Sequence, residues 1–178
     1  MTLSVLMVCS YNQVRSVMAQ LLMQRALLDS EVRAVVRSAG FADGGRPAMP
    51  ETIRAMRAQQ LDATGHISSR VDDRLVHDAD LVLTAERLHV IRLVEDDATL
   101  FKKVFTLPEF ARLAAVAGPR AGLTMTAWLD FVGSGRTHAT FLAAQTPEVT
   151  DPTGTTPANF ADTAARIDGW CRTIAGLL

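Results

Sequence analysis

Residues 5–16, VLMVCSYNQVRS, run from an apolar stretch into a cysteine, a short polar turn, and then an arginine and a serine. Leu3 to Val8 is mostly apolar and ends abruptly, as a strand buried on both faces does. Val17 to Leu28, VMAQLLMQRALL, is amphipathic and rich in helix formers, and Asp29 and Ser30 end it. Cys9 thus stands at the carboxyl end of a first strand, with Arg15 and Ser16 at the start of a helix. Alone, a cysteine closing a buried strand reads as a small core hydrophobe. Here its neighbours favour chemistry.

A strand, a turn and a helix make a phosphate cradle when the N–H groups of the turn converge on one point. The helix N-terminus then adds free N–H groups and partial positive charge. A thiol in such a field, beside an arginine, ionises near neutral pH and becomes a nucleophile suited to phosphorus. Arg15 can fold back to give two parallel bonds to phosphate oxygens. Ser16 can donate its hydroxyl to the thiolate.

Outward from this stretch, strands and helices alternate. Val32 to Val36 is β-branched and reads as a second strand, closed by Ser38–Gly40, SAG. FADGGRPAMP is a loop by its Gly and Pro content, and a helix runs from about Pro50 to Gln60. LDATGHISSRVDD is a polar connection, Ala79 to Ala85 a third buried strand, Glu86 to Glu95 a helix, and Lys103 to Thr106 a short strand. LPEFARLAAVA reads as helix, as does part of Leu123 to Phe131, while GSGRTH reads as a mobile loop. Pro157 to Leu178 is a long amphipathic helix carrying Phe160, Ala164, Ile167, Trp170, Cys171, Ile174 and Leu177. This alternation predicts an α/β fold with a parallel sheet, whose ligands bind at the carboxyl ends of the strands.

The chain has 178 residues, 48% hydrophobic and 21% charged, which fits one globular domain with a sizeable core. The net charge of −1 predicts no broad attraction to nucleic acid or to an anionic membrane, so an anion site must be local. Cys9 and Cys171 fit neither a disulfide framework nor zinc-ligand spacing. His66, His77, His89 and His138 have no ligand spacing either, so no metal is expected. The start lacks a signal-peptide pattern and no run approaches the ~18 apolar residues of a membrane span, so cytosol is the expected location.

The segment VLMVCSYNQVRSVMAQ resembles the active-site loop of the low-molecular-weight protein tyrosine phosphatases, whose pattern is C-x-G-N-x-C-R-S-P; Cys9, Asn12, Arg15 and Ser16 match. The family shares its fold with the thioredoxin-coupled arsenate reductases. SAG at 38–40, GRPAMP, GHISSR, ADLVLTAERLHVIRL, FTLPEF and VTDPTG also resemble family elements in the right order, leaving about 109–146 uncovered. The resemblance implies a single domain over 1–178, a three-layer sandwich with a four-stranded parallel sheet, helices on both faces, and the phosphate loop after the first strand. Region 109–146 is longer than in compact members and is left as a lid, a dimer surface or decoration.

The resemblance also implies roles. Cys9 attacks phosphorus and forms a phosphocysteine. Arg15, with the loop Ser10, Tyr11, Asn12, Gln13, Val14, Arg15 and Ser16, holds the phosphate oxygens. Asp151 serves as general acid and then general base, although alone Asp-Pro reads as a turn starter. Asn12 shapes the loop, tolerating left-handed backbone angles, with Ser16, Ser38 and His66 as supports. No cofactor is implied, and the substrate is a phosphorylated protein, phosphotyrosine favoured, or a small phosphate ester. Three departures stand out. Tyr11 replaces the glycine, so its ring either walls the pocket or alters the loop. Val14 replaces the second cysteine, and Thr153 the aromatic after Asp-Pro, leaving Phe41 and Tyr11 as aromatic candidates for a substrate ring. Arsenate reduction would need a further cysteine, and only Cys171 is present; a non-catalytic phosphate-binding relative is the remaining alternative.

Overall fold

The structure, a computed structural model, describes residues 2–178. Four strands, β1 (Leu3–Cys9), β2 (Ala34–Gly40), β3 (Leu81–Thr84) and β4 (Val104–Thr106), form one sheet in the order β2-β1-β3-β4. Every pairing is parallel. Strand alternation divides the core in two. Leu3, Val5, Met7 and Cys9 face one layer and Leu6 and Val8 the other. The first layer is built from α1 (Arg15–Asp29), α2 (Pro50–Ala58), α5 (Leu107–Ala117), α6 (Met125–Val132) and α8 (Pro157–Ala175), with α8 packed on α1, α2 and α5. The second holds α3 (Asp73–Asp78), α4 (Arg87–Val94), a 3₁₀ turn (Ala98–Lys102) and α7 (His138–Ala143). The three-layer architecture is as expected from the sequence. No helix among the described residues is long and apolar enough to cross a membrane.

The second strand begins two residues later than its β-branched run suggests and continues through SAG, because β1 pairs with it as far as Cys9 opposite Gly40. Residues 73–78 and 138–143, just beyond the polar connection and the loop read from sequence and overlapping them only at Asp73 and His138, are short helices, each N-capped, by Asp72 and Thr137. The GSGRTH segment is not a free loop but an anchor. Arg136 Nε donates to Glu109 Oε1 (2.8 Å), Nη2 to Glu109 Oε2 (3.2 Å), Nη1 to Phe101 O (2.7 Å) and Nη2 to Val104 O (3.0 Å). Its guanidinium also lies 3.8 Å from the centre of the Phe101 ring. Both partners of this ion pair are 6% exposed. Removing only one partner from such a pair leaves a buried charge, which costs about 3–5 kcal/mol, whereas an apolar replacement of both is often near neutral. Chemical denaturation of Arg136→Met should therefore show a loss of that size, and Arg136→Met with Glu109→Leu should recover most of it.

Candidate active site

β1 delivers Cys9 to the carboxyl edge of the sheet, and α1 starts immediately past the loop. Cys9 is 3% exposed. Its Sγ lies 3.0 Å from Ser16 Oγ and receives the Asn12 N–H at 3.3 Å. Asn12 has φ +53°, the left-handed backbone that lets the chain curl around the sulfur. Its fully buried side chain donates from Nδ2 to Ser16 Oγ and Ser38 Oγ, both at 2.9 Å, and accepts the Ser69 N–H at Oδ1, also 2.9 Å. His66 Nε2 reaches the Asn12 carbonyl at 2.7 Å, supporting the backbone rather than the side chain. Ser38 passes its own proton to Gln20 Oε1 at 2.5 Å.

The loop comes so close to β2 that a Cβ on Gly40 would sit 2.7 Å from Asn12 N and 2.9 Å from Tyr11 C. Tyr11 itself is 65% exposed and its φ is not positive, so the ring lies at the surface and position 11 needs no left-handed backbone. The Gln13 side chain donates to Pro47 O (2.8 Å), and the Gln13 backbone carbonyl accepts from Met49 N and Thr52 Oγ1, tying the 47–52 segment to the loop. The Val14 side chain is buried in the core, leaving only its backbone at the loop.

Arg15 is 4% exposed and folds toward the sheet edge. It pairs with Glu86, donates from Nη1 to Val149 O (3.2 Å), and reaches Asp151 Oδ2 from Nη2 (2.7 Å). Asp151 Oδ1 accepts from Thr153 N (3.0 Å) and Thr153 Oγ1 (2.6 Å), so the residue in place of the expected aromatic orients the carboxylate instead. Phe41 is not a free platform, since its ring stacks on His89 (5.3 Å between centroids) and carries the Arg92 guanidinium at 4.1 Å.

The structure adds residues that sequence reasoning did not place at the site: Glu86, His89, Ser69 and Gln20. Glu86 and His89 form a reciprocal cap at the start of α4, and that Glu-x-x-His pattern at the end of a strand was the available signal. Ser69 contributes only its backbone N–H, for which no residue type is a signal. Glu86 N–H donates to His89 Nδ1 (3.2 Å), which leaves the ring proton on Nε2, where it points to Ser10 Oγ (3.0 Å). Burial lowers the His89 pKa to about 4, with Arg15 and Arg92 adding to the shift and Glu86 and Asp151 opposing it. Cys171 is buried where α8 crosses α1, and burial pushes its thiol pKa up.

Fold and site together define an α/β protein with a buried cysteine at the carboxyl edge of a parallel sheet, where β1 passes into the loop before α1. The family model of the low molecular weight phosphotyrosine protein phosphatases matches residues 4–120. A protein-arginine-phosphatase of Bacillus subtilis (strain 168) is 32% identical over 109 residues, 61% of this chain and 72% of that protein. The low molecular weight protein-tyrosine-phosphatase Wzb of Escherichia coli (strain K12) is 38% identical over 93 residues, 52% of this chain and 60% of that protein. The solution structure of a low molecular weight protein tyrosine phosphatase from Bacillus subtilis superposes with a TM-score of 0.75 at 25% identity, covering 99% of this chain and 97% of that one. The chain belongs to the low molecular weight phosphotyrosine protein phosphatase family, and with it to the cysteine-dependent phosphatases.

Two outcomes follow from the geometry. Gly40→Ala must push the loop aside, and a displacement of ~1 Å at a reacting centre costs about a hundredfold in rate; turnover and vanadate affinity should fall together while the far-ultraviolet circular dichroism stays unchanged. His89 binds its proton less readily folded than unfolded, so it stabilises the fold fully above about pH 6.5 and loses that contribution as the pH falls toward about 4. Thermal unfolding across this window should show the slope in the wild type and a reduced slope in His89→Gln.

Proposed function

We propose that Cys9 is the nucleophile, Arg15 the phosphate clamp and Asp151 the general acid and base of a phosphate-monoester hydrolase acting on phosphorylated protein. The observation that carries this reading is the convergence on one loop of a buried sulfur with two donors, an arginine bent back from α1, and a carboxylate on that same arginine. In the reaction, Arg15 exchanges its carboxylate contacts for phosphate oxygens, and the loop N–H groups take the rest of the spreading charge. The Cys9 thiolate forms the S–P bond as the ester O–P bond breaks, and the leaving oxygen takes its proton from Asp151. Water then attacks phosphorus, giving a proton to Asp151. The S–P bond breaks, releasing phosphate and the thiolate, which Ser16 stabilises as leaving group.

Phosphotyrosine is the favoured phosphoryl group, as in the named activity of Wzb, while the Bacillus subtilis relative is named for phosphoarginine. A second reading, a small phosphate ester, is favoured because Thr153 holds Asp151 and Phe41 is engaged by α4, leaving Tyr11 as the one free candidate of the two aromatic residues considered for the mouth. Arsenate reduction is disfavoured because the second thiol it would need is Cys171, buried in α8.

The test is hydrolysis of an aryl phosphate, a phosphotyrosine peptide and a phosphoarginine peptide by wild type, Cys9→Ser and Asp151→Asn. The wild type should turn over, Cys9→Ser should bind vanadate without turnover, and Asp151→Asn should lose ~10²–10⁴-fold on substrates with poor leaving groups. A wild type that binds vanadate but hydrolyses none of the three substrates would overturn the enzymatic reading. Selectivity among the substrates decides between the protein and small-ester readings.

A further inference from the structure

The approach from β4 to Asp151 is a chain of contacts that meets at Arg87. Arg136, anchored as described on Phe101, Val104 and Glu109, also lies 4.9 Å from the centre of the Phe141 ring and so seats α7 at the sheet edge. Arg87 takes the carbonyls at the end of α7, donating from Nη2 to Leu142 O (2.6 Å) and from Nε to Phe141 O (3.4 Å). A cation placed there also meets the negative end of the α7 backbone. The backbone N–H of the same residue, at the first turn of α4, donates to Glu148 Oε1 at 2.7 Å. Thr106 Oγ1 holds Pro147 O (2.7 Å), and Val149 N–H pairs with Ala85 O (2.8 Å). The strap 141–149 is thereby fastened to the β3–α4 turn, two residues before Asp151. That turn also carries Glu86, the other carboxylate on Arg15.

We propose that Arg87 is a positioning residue for proton transfer: by tying the strap 141–149 to the β3–α4 turn, it sets where Asp151 stands relative to Arg15 and Cys9. The proposal rests on the reading of Asp151 as the acid. Among the described residues no hydrogen bond or ion pair joins Arg87 to the Cys9 loop, so its loss should spare phosphate binding and the attack by sulfur. It should impair the two steps that pass a proton through Asp151, protonation of the leaving group and activation of water, of which only the first depends on the ester. The stretch leading into Asp151 then has a definite task, holding the acid loop in place from the outer edge of the sheet.

The experiment compares Arg87→Ala with wild type on two aryl phosphates, one with a nitro-substituted leaving group that departs unprotonated and one with an unsubstituted phenol. Arg87→Ala should lose about tenfold in kcat/KM on the phenyl ester and under about twofold in kcat/KM on the nitrophenyl ester, with vanadate affinity unchanged. Glu148→Ala should show the same selective loss, and Glu148→Gln, which keeps an acceptor for the Arg87 N–H, should restore it. Equal loss of kcat/KM on both esters, or no loss, overturns the proposal. Amide hydrogen exchange supplies a readout independent of turnover: in Arg87→Ala, exchange at Val149 and Thr153 should accelerate while Asn12 stays as in wild type. Unchanged exchange at Val149 overturns the strap even in an inactive protein. Accelerated exchange in a protein whose wild type lacks Cys9-dependent turnover overturns the role of Asp151 and leaves the strap standing.

Discussion

Asn12 carries the site. Its left-handed backbone turns the loop, and its side chain makes that turn affordable by bonding to Ser16, Ser38 and Ser69 in the interior. No buried side-chain polar atom among the described residues lacks a partner, so this network is satisfied throughout. It also sets the direction of each proton. Ser16 Oγ accepts from Asn12, which frees its hydroxyl proton for the Cys9 sulfur 3.0 Å away. Ser38 accepts from Asn12 in the same way and sends its proton to Gln20. A sulfur that must be a good nucleophile and later a good leaving group needs such donors fixed in advance, because reorienting them during the reaction adds to the barrier.

Much of this was legible in the order of residues. The abrupt end of an apolar run at Cys9 and the amphipathic repeats of α1 and α8 are local patterns with local causes, and they place the cradle at the correct edge of the sheet. Cys9, Arg15 and Asp151 could be singled out because the chemistry proposed for them restricts the residue type. What escaped depends on partners distant in sequence or on the backbone. Arg136 lies in a glycine-containing polar stretch that looks like a loop, and its role arises only when Phe101, Val104 and Glu109 surround it. The six-residue helices α3 and α7 are too short to display a helical period. Glu86 reads as a helix cap in sequence and is one, but the same carboxylate also holds Arg15.

At Tyr11 the family pattern has glycine, which left the ring either to wall the pocket or to alter the loop, and the exposed ring fits the first. The tight spot of the loop is across the gap, where Gly40 of β2 leaves room for the Tyr11–Asn12 peptide. A side chain at 11 meets solvent instead, at no steric cost to the cradle. The ring therefore adds apolar surface at the rim and leaves the backbone behind it free of its bulk.

The charge arrangement explains why a buried histidine belongs beside this arginine. Arg15 is almost fully buried, and a buried guanidinium is tolerated only when anions and carbonyls satisfy it, here Glu86, Asp151 and Val149 O. His89 approaches the same Glu86, with its Nε2 4.0 Å from Oε2. A protonated imidazole at that distance would compete with Arg15 for the carboxylate and repel the guanidinium. It would also lose Nδ1 as the acceptor for Glu86 N–H, loosening the start of α4. Burial keeps the ring neutral down to about pH 4, so Glu86 stays committed to Arg15 while the ring's one proton serves Ser10. The apolar packing around α4 thus protects the electrostatics of a loop formed between other elements, and the neutral histidine is the link between them.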